Sequence, residues 1–233
     1  MLGIINLVRR MIEGSILSIL IIAVVAILGV SETINTLLAE RNVASILFLL
    51  VLAIVLADLI GKFISILSAT FPDLIPVLNE DDVKRASLIQ RMRPGQTVAL
   101  LSGAYGARLL MFLIIFALMG TSYAFAPKPV QQTLFGDMGA MEAIWTFLRE
   151  GIAGSVGYFL FFLGPDHLKP ITSVIIAEPL APSTVDGDIF LVGIRVYGLA
   201  FALSILRTLV TPIIYVRARG RAGKLSAPAG TAV

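Results

Sequence analysis

The chain has 233 residues with a net charge of +3, and 58% of them are hydrophobic while only 14% are charged. Because about a quarter of the residues in an average soluble domain are charged, this composition excludes a disordered chain and an ordinary water-soluble enzyme. The absence of cysteine excludes disulfides, thiolate metal sites and iron–sulfur clusters, and the single histidine, His167, excludes a multi-histidine site within the chain.

Four segments are long and apolar enough to cross a bilayer, which takes about 20 residues of helix. They are residues 15–31, 43–67, 98–126 and 188–216. The apolar run of the first segment is longer than that of a cleaved signal peptide, so we interpret it as a retained anchor. The sequence therefore predicts an all-α integral membrane protein with four transmembrane helices, forming a single polytopic domain over residues 1–233.

The positions of lysine and arginine predict the orientation of these helices. If the N-terminus is cytoplasmic, the inner segments contain ten of the 18 basic residues and the outer segments contain four. The inner segments include the loop 68–97 and a basic tail, residues 217–233. Because cytoplasmic segments carry the excess of basic residues, we expect a multi-pass protein of a bacterial inner membrane with both termini cytoplasmic. Anionic lipids are the expected contacts of these basic segments.

The long outer segment, residues 127–187, allows two interpretations. Residues 138–150 have the pattern of an amphipathic helix, and residues 151–163 are apolar but too short to span a bilayer. The apolar side of the amphipathic helix contains Met141, Ile144, Trp145 and Leu148. One further crossing would place the basic tail outside, so we interpret residues 151–177 as a re-entrant or interfacial hairpin. The alternative is a pair of short additional spans, which gives six crossings with the same ends inside.

Charged residues inside the predicted spans are the main functional signal, since each costs about 2.5–3.5 kcal/mol at a helix centre. They are Asp58, Lys62, Arg108, Arg195 and Arg207. Asp58 and Lys62 share one helix face, and we expect them to meet Arg108 and Arg207 in the inner half of the bundle. Arg195 lies near the outer end of its span and is expected to extend towards the interface.

One acid among three bases favours a structural salt-bridge cluster over a proton or ion pathway. The surplus positive charge indicates an anionic partner, which is either a lipid phosphate or an acidic residue of another subunit. Small residues indicate close helix packing in two places. They are Gly103, Gly106 and Ala107 in the third span, and Gly151, Gly154 and Gly157 in the outer segment. The functional alternative for the second group is a thin re-entrant element that lines a pore.

The sequence contains no catalytic constellation and no motif for a cofactor, and the adjacent Asp166 and His167 favour a solvated turn over a metal site. We therefore expect no enzyme activity and no nucleic-acid partner. The favoured function is a scaffold or accessory subunit of a multi-protein inner-membrane complex for secretion, transfer or energy transduction, with other membrane subunits or further copies of the chain as partners. The alternative is an oligomeric channel or transporter for ions or small solutes that uses the intramembrane charges.

Overall fold

The computed structural model describes residues 18–70, 91–159 and 180–225, and in these residues the chain is helical with no strand. The helices, in chain order, are α1 (Ser18–Ile27), α2 (Glu32–Glu40), α3 (Val43–Thr70), α4 (Pro94–Ala124), α5 (Lys128–Leu134), α6 (Ala140–Phe159) and α7 (Val185–Leu225). The helical fold agrees with the sequence prediction. Most of the inner loop, residues 160–179 of the outer segment and the end of the basic tail lie outside the described residues.

Three of the described helices are long and apolar enough to cross a membrane. They contribute Val43–Ile64 with 22 residues, Pro94–Ala124 with 31 and Val185–Arg207 with 23. Because 20 helical residues rise about 30 Å, each of these stretches covers the hydrocarbon core of a bilayer. Among residues 18–70, 91–159 and 180–225, a fourth span is present only if α1 and α2, which are bent by 97°, together form one broken span. The structure thus supports a helical membrane protein with three candidate spans, or four with the bent pair.

The first apolar segment is bent, whereas the sequence predicts one span over residues 15–31. Helix α1 ends at Ile27, and Gly29 takes a positive φ of 63°, a conformation that costs glycine little. Ser31 then caps α2, because its hydroxyl accepts a hydrogen bond from the backbone N–H of Ile34 at 3.3 Å. A turn near the end of the predicted span therefore terminates α1, and α2 begins directly after that span at Glu32.

The end of α4 is closed by a buried glutamine from the following helix. Gln131 on α5 is fully buried, and its Nε2 donates to the carbonyl oxygens of Tyr123 and Ala124, each at 2.9 Å. The last carbonyls of a helix have no partner within the helix, so this side chain satisfies two of them. The Tyr123 hydroxyl in turn donates to the carbonyl of Gly136 at 2.7 Å, which fixes the chain between α5 and α6.

Helix α6 runs without a break from Ala140 to Phe159, whereas the sequence suggests an amphipathic helix that stops near residue 150. Its buried positions include Ala143, Phe147 and Glu150, while Met141 and Trp145 are exposed. The expected apolar face is therefore only partly packed, since Ile144 lies against Gly120 of α4 while Met141 and Trp145 are exposed. The rest of the expected hairpin, residues 160–177, lies outside the described residues, and so do the additional spans of the six-helix alternative.

The chain divides into two compact units. The first comprises Met1–Phe63 and Met111–Ala202, and the second comprises Ile64–Leu110 and Leu203–Val233. Aromatic side chains form much of the core of the first unit. The ring of Phe112 lies 4.2 Å from that of Phe201 and 4.5 Å from that of Phe116, measured between centroids. The second unit contains the first part of α4 and the last part of α7, which starts the predicted basic tail as a helix that ends at Leu225.

Candidate functional site

An ion pair between α6 and α7 is the most deeply buried charged group among the described residues. Oε2 of Glu150 accepts hydrogen bonds from Nε of Arg195 at 3.0 Å and from Nη2 at 2.8 Å. The Glu150 side chain is 0% exposed and that of Arg195 is 28% exposed. The backbone N–H of Leu180 donates to the other carboxylate oxygen at 3.4 Å. Arg195 therefore binds an acid inside the first unit, where the sequence suggested that it extends outward to the interface.

Close packing of glycines brings these two charged side chains together. A Cβ atom at Gly198 on α7 would overlap the backbone of Gly151 on α6, and one at Gly154 would overlap the backbone of Arg195. The two helix backbones thus approach more closely than alanine would allow. Because Glu150 precedes Gly151 and Arg195 lies about one turn before Gly198, this crossing places the carboxylate beside the guanidinium.

A second polar group in the first unit joins α3 to α7. Lys62 forms an ion pair with Oδ2 of Asp58, four residues earlier on α3. The hydroxyl of Tyr197 donates to the same Oδ2 at 2.7 Å. Nζ of Lys62 also lies 3.5 Å from the Tyr197 hydroxyl oxygen and 5.0 Å from the centroid of its ring. We call Asp58, Lys62 and Tyr197 the α3–α7 triad.

The aromatic core holds Tyr197 in this triad. Tyr197 is 1% exposed, and its ring lies 5.7 Å from that of Phe116 and 6.4 Å from that of Phe112. A buried tyrosine hydroxyl needs a hydrogen-bond partner, and the Asp58 carboxylate provides one. Asp58 in turn accepts hydrogen bonds from both Lys62 and Tyr197. These two bonds offset the cost of keeping a charged group within an apolar helix.

The arginines of the predicted inner cluster lie in the second unit. Nη1 of Arg108 on α4 donates to the buried hydroxyl of Ser204 on α7 at 3.1 Å. Arg207 is half-buried and lies three residues further along α7. The structure therefore places Asp58 with Lys62 in one unit and Arg108 with Ser204 in the other. A single cluster of Asp58, Lys62, Arg108 and Arg207 stays a prediction.

The predicted packing glycines fall into two groups with different surroundings. Gly151 and Gly154 lie against α7, and Gly157 lies further along α6. In contrast, no described atom lies within 4 Å of the position that a Cβ would take at Gly103 or Gly106, and Ala107 is exposed. The small face of α4, which we define as Gly103, Gly106 and Ala107, is therefore open in the described part of the chain.

Sequence reasoning missed Glu150 and Tyr197. Glu150 was assigned to the outer connection, yet it follows Ala143 and Phe147 at the spacing of one helix face, and all three are fully buried. That spacing, continued to Gly154, was a usable signal for a buried acid. Tyr197 gave no local signal, because its partner Asp58 is 139 residues away.

In both polar groups of the first unit, each acidic residue has a basic partner. The Glu150–Arg195 pair opposes the separation of α6 from α7, and the hydrogen bond from Tyr197 to Asp58 opposes the separation of α3 from α7. Within the described residues no group of three or more histidine, cysteine or acidic side chains could hold a metal ion, and Asp166 and His167 lie outside them. Comparison with known proteins finds no matching family model, no matching curated protein and no matching solved structure.

Proposed function

We propose that this protein is a non-enzymatic scaffold or accessory subunit of a multi-protein complex in a bacterial inner membrane. The observation that carries the proposal is the open small face of α4. Gly103, Gly106 and Ala107 expose the helix backbone over about one turn, with no described atom within 4 Å of a Cβ at either glycine. A helix of another subunit can approach this face closely.

The first unit shows how this chain uses glycine for helix packing. Gly120 lies against the backbone of Ile144, Gly151 against Gly198, and Gly154 against Arg195. Lipid tails are as apolar as leucine, so helix association in a bilayer depends on such close van der Waals packing rather than on hydrophobicity. The small face of α4 offers the same kind of contact, and a partner helix would supply the missing side.

Co-purification in a mild detergent tests the subunit proposal. The proposal predicts that the wild-type chain brings other membrane subunits with it in fixed stoichiometry. Leucine at both Gly103 and Gly106 fills the small face and is expected to release these partners. The matched control is Gly61→Leu, because Gly61 on α3 also has no described atom within 4 Å of a Cβ. Loss of partners from the control as well would contradict a role for the small face.

The membrane topology belongs to the same proposal: four spans, with both termini in the cytoplasm. The chain has no cysteine, so each introduced cysteine is a unique label. With an impermeant maleimide on intact cells, Ala39→Cys and Gly139→Cys are expected to react from outside. Gly95→Cys and Ser226→Cys are expected to react only after the membrane is opened. Reaction of Ser226→Cys from outside would place the C-terminus outside and overturn the arrangement.

The second candidate function is an oligomeric channel or transporter for ions or small solutes. It is favoured by the α3–α7 triad, because Asp58 within the candidate span Val43–Ile64 keeps a 36% exposed side chain. Charged groups inside a span often mark a path for ions. A purified homo-oligomer that conducts ions in liposomes, with flux lost in Asp58→Asn, would replace the subunit proposal. Fixed-stoichiometry co-purification without flux would exclude the channel.

A further inference from the structure

Two adjoining cavities lie in the first unit where α1, α2 and α7 meet. The outer cavity has a volume of about 700 Å³ and the inner one about 380 Å³, and Val30 and Asp186 line both. Both volumes fall within the range of roughly 300–1,000 Å³ that is typical of small-molecule sites. The shared wall residues show that the two cavities lie next to each other.

The outer cavity is polar and acidic. Its polar wall residues are Glu32, Asn35, Thr36, Thr133, Thr184 and Asp186, and no lysine or arginine of the described part of the chain lines it. Asp186 already accepts hydrogen bonds from the Ser31 hydroxyl at 2.9 Å and from the backbone N–H of Thr33 at 2.8 Å. The start of α2 thus offsets part of the charge on Asp186, and the exposed carboxylate of Glu32 remains at the cavity wall.

The inner cavity is apolar and opens towards the surface of the candidate spans. Ile21 of α1, Leu52 of α3 and Ile189 of α7 are among its lining residues, and Ile189 is 62% exposed. Three polar residues, Ser31, Thr33 and Asp186, interrupt the apolar wall. Thr33 is 6% exposed, and its hydroxyl makes no hydrogen bond of good geometry with a described residue. A buried hydroxyl without a partner is costly, so a polar atom of a bound molecule at the junction of the cavities would stabilise it.

We propose that the two cavities bind one lipid whose headgroup carries a primary amine. Its acyl chain lies in the inner cavity, its ester or glycerol oxygens lie beside Thr33, and its ammonium group lies against Glu32. The acidic wall opposes a headgroup whose net charge is negative through like-charge repulsion. It favours a primary ammonium over a quaternary one, because only the primary ammonium donates hydrogen bonds to a carboxylate.

Native mass spectrometry of the full chain in detergent tests this proposal. The protein is incubated with equal amounts of phosphatidylethanolamine, phosphatidylcholine and phosphatidylglycerol that have identical acyl chains. The expected result is one retained phosphatidylethanolamine per chain, preferred over each of the other two by about tenfold, as for one added charge-assisted hydrogen bond. Equal retention of the three lipids, or a preference for phosphatidylglycerol, overturns the proposal.

Two variants separate the acyl part of the site from the headgroup part. Gly193 lines the inner cavity, and no described atom lies within 4 Å of a Cβ there, so Gly193→Leu fills the cavity without disturbing the backbone. We expect this variant to lose retention of all three lipids, while Gly61→Leu retains them. Glu32→Gln is expected to keep the lipid but lose the preference for the amine. Glu40 lies on the same helix but does not line the cavities, so Glu40→Gln is expected to keep the preference for the amine.

Two outcomes identify other occupants and would refute the lipid assignment. Unchanged retention in Gly193→Leu would mean that the lipids bind elsewhere on the apolar surface. Binding of free phosphoethanolamine as strong as that of the whole lipid would mean that the outer cavity takes a soluble amine and that the inner cavity contributes nothing. None of these outcomes depends on co-purifying subunits, so the lipid site and the subunit proposal fail or succeed separately.

Discussion

Glu150 and Arg195 are bound to each other across α6 and α7, with two guanidinium nitrogens on one carboxylate oxygen that is shielded from solvent. Replacing either residue by leucine leaves the other charge without its partner, and breaking a buried pair in this way costs about 3–5 kcal/mol. We expect each single variant to lose most of its stability, measured by chemical unfolding in detergent micelles.

The double variant, with leucine at both positions, is the internal control for this pair. Two apolar side chains of similar size leave no unpaired charge, so the loss is expected to be much smaller than for either single change. If the two single losses simply added in the double variant, the ion pair would not couple α6 to α7.

Alanine substitutions at Gly198 and Gly193 are expected to have opposite effects. Both glycines lie on α7, but a Cβ at Gly198 would overlap the backbone of Gly151, whereas no described atom lies within 4 Å of one at Gly193. A backbone cannot rotate away as a side chain can, so Gly198→Ala should cost about 3 kcal/mol or more. Gly193→Ala should gain about 0.5–1 kcal/mol from its better helix propensity. Thermal unfolding of the two variants in one detergent checks the sign of each change.

The neighbouring residues Gln131 and Gln132 provide a matched pair of glutamate substitutions. Gln131→Glu replaces the buried Nε2 group, which donates to the carbonyl oxygens of Tyr123 and Ala124, by a carboxylate oxygen. This oxygen can only accept hydrogen bonds, so both carbonyl oxygens lose their donor. We expect a loss of about 1–3 kcal/mol for each carbonyl left without a donor. Gln132 is exposed, so Gln132→Glu is expected to change the unfolding free energy by less than about 0.5 kcal/mol. Similar losses at both positions would show that Gln131 does not close the end of α4.

The α3–α7 triad is tested by a double-mutant cycle between Asp58 and Tyr197. Tyr197→Phe removes the hydroxyl that donates to Asp58 at 2.7 Å, and Asp58→Asn removes the charged acceptor. Residues joined by a buried hydrogen bond usually show coupling energies of about 0.5–3 kcal/mol. The cycle is measured on unfolding free energies, with Lys62 present throughout. A coupling energy near zero would show that the hydrogen bond from Tyr197 to Asp58 does not stabilise the packing of α3 on α7.

Hydropathy predicted the long helices well because each span contains enough apolar residues by itself. The second predicted span starts at residue 43, as α3 does. The third starts four residues late, because Pro94 was assigned to the inner loop, residues 68–97. Proline at the first position of a helix loses no hydrogen bond, and α4 begins there.

The relations between helices were harder to predict, because they depend on tertiary contacts. On α6, the apolar side chain of Trp145 is 64% exposed while the charged side chain of Glu150 is fully buried. In a bilayer an apolar surface does not identify the packed side, since lipid solvates it well. The small residues Gly151 and Gly154 were the better guide to that side.

The hydrogen bonds from Ser31 and Thr33 to Asp186 connect residues 155 and 153 positions apart. A ribosome adding about 5–20 residues per second needs roughly 8–30 s to cover such a distance. During that time the start of α2 exists without the carboxylate that later binds it. The residues of the bend between α1 and α2 are therefore synthesised early, whereas their hydrogen bonds to Asp186 form only after the start of α7 has been added.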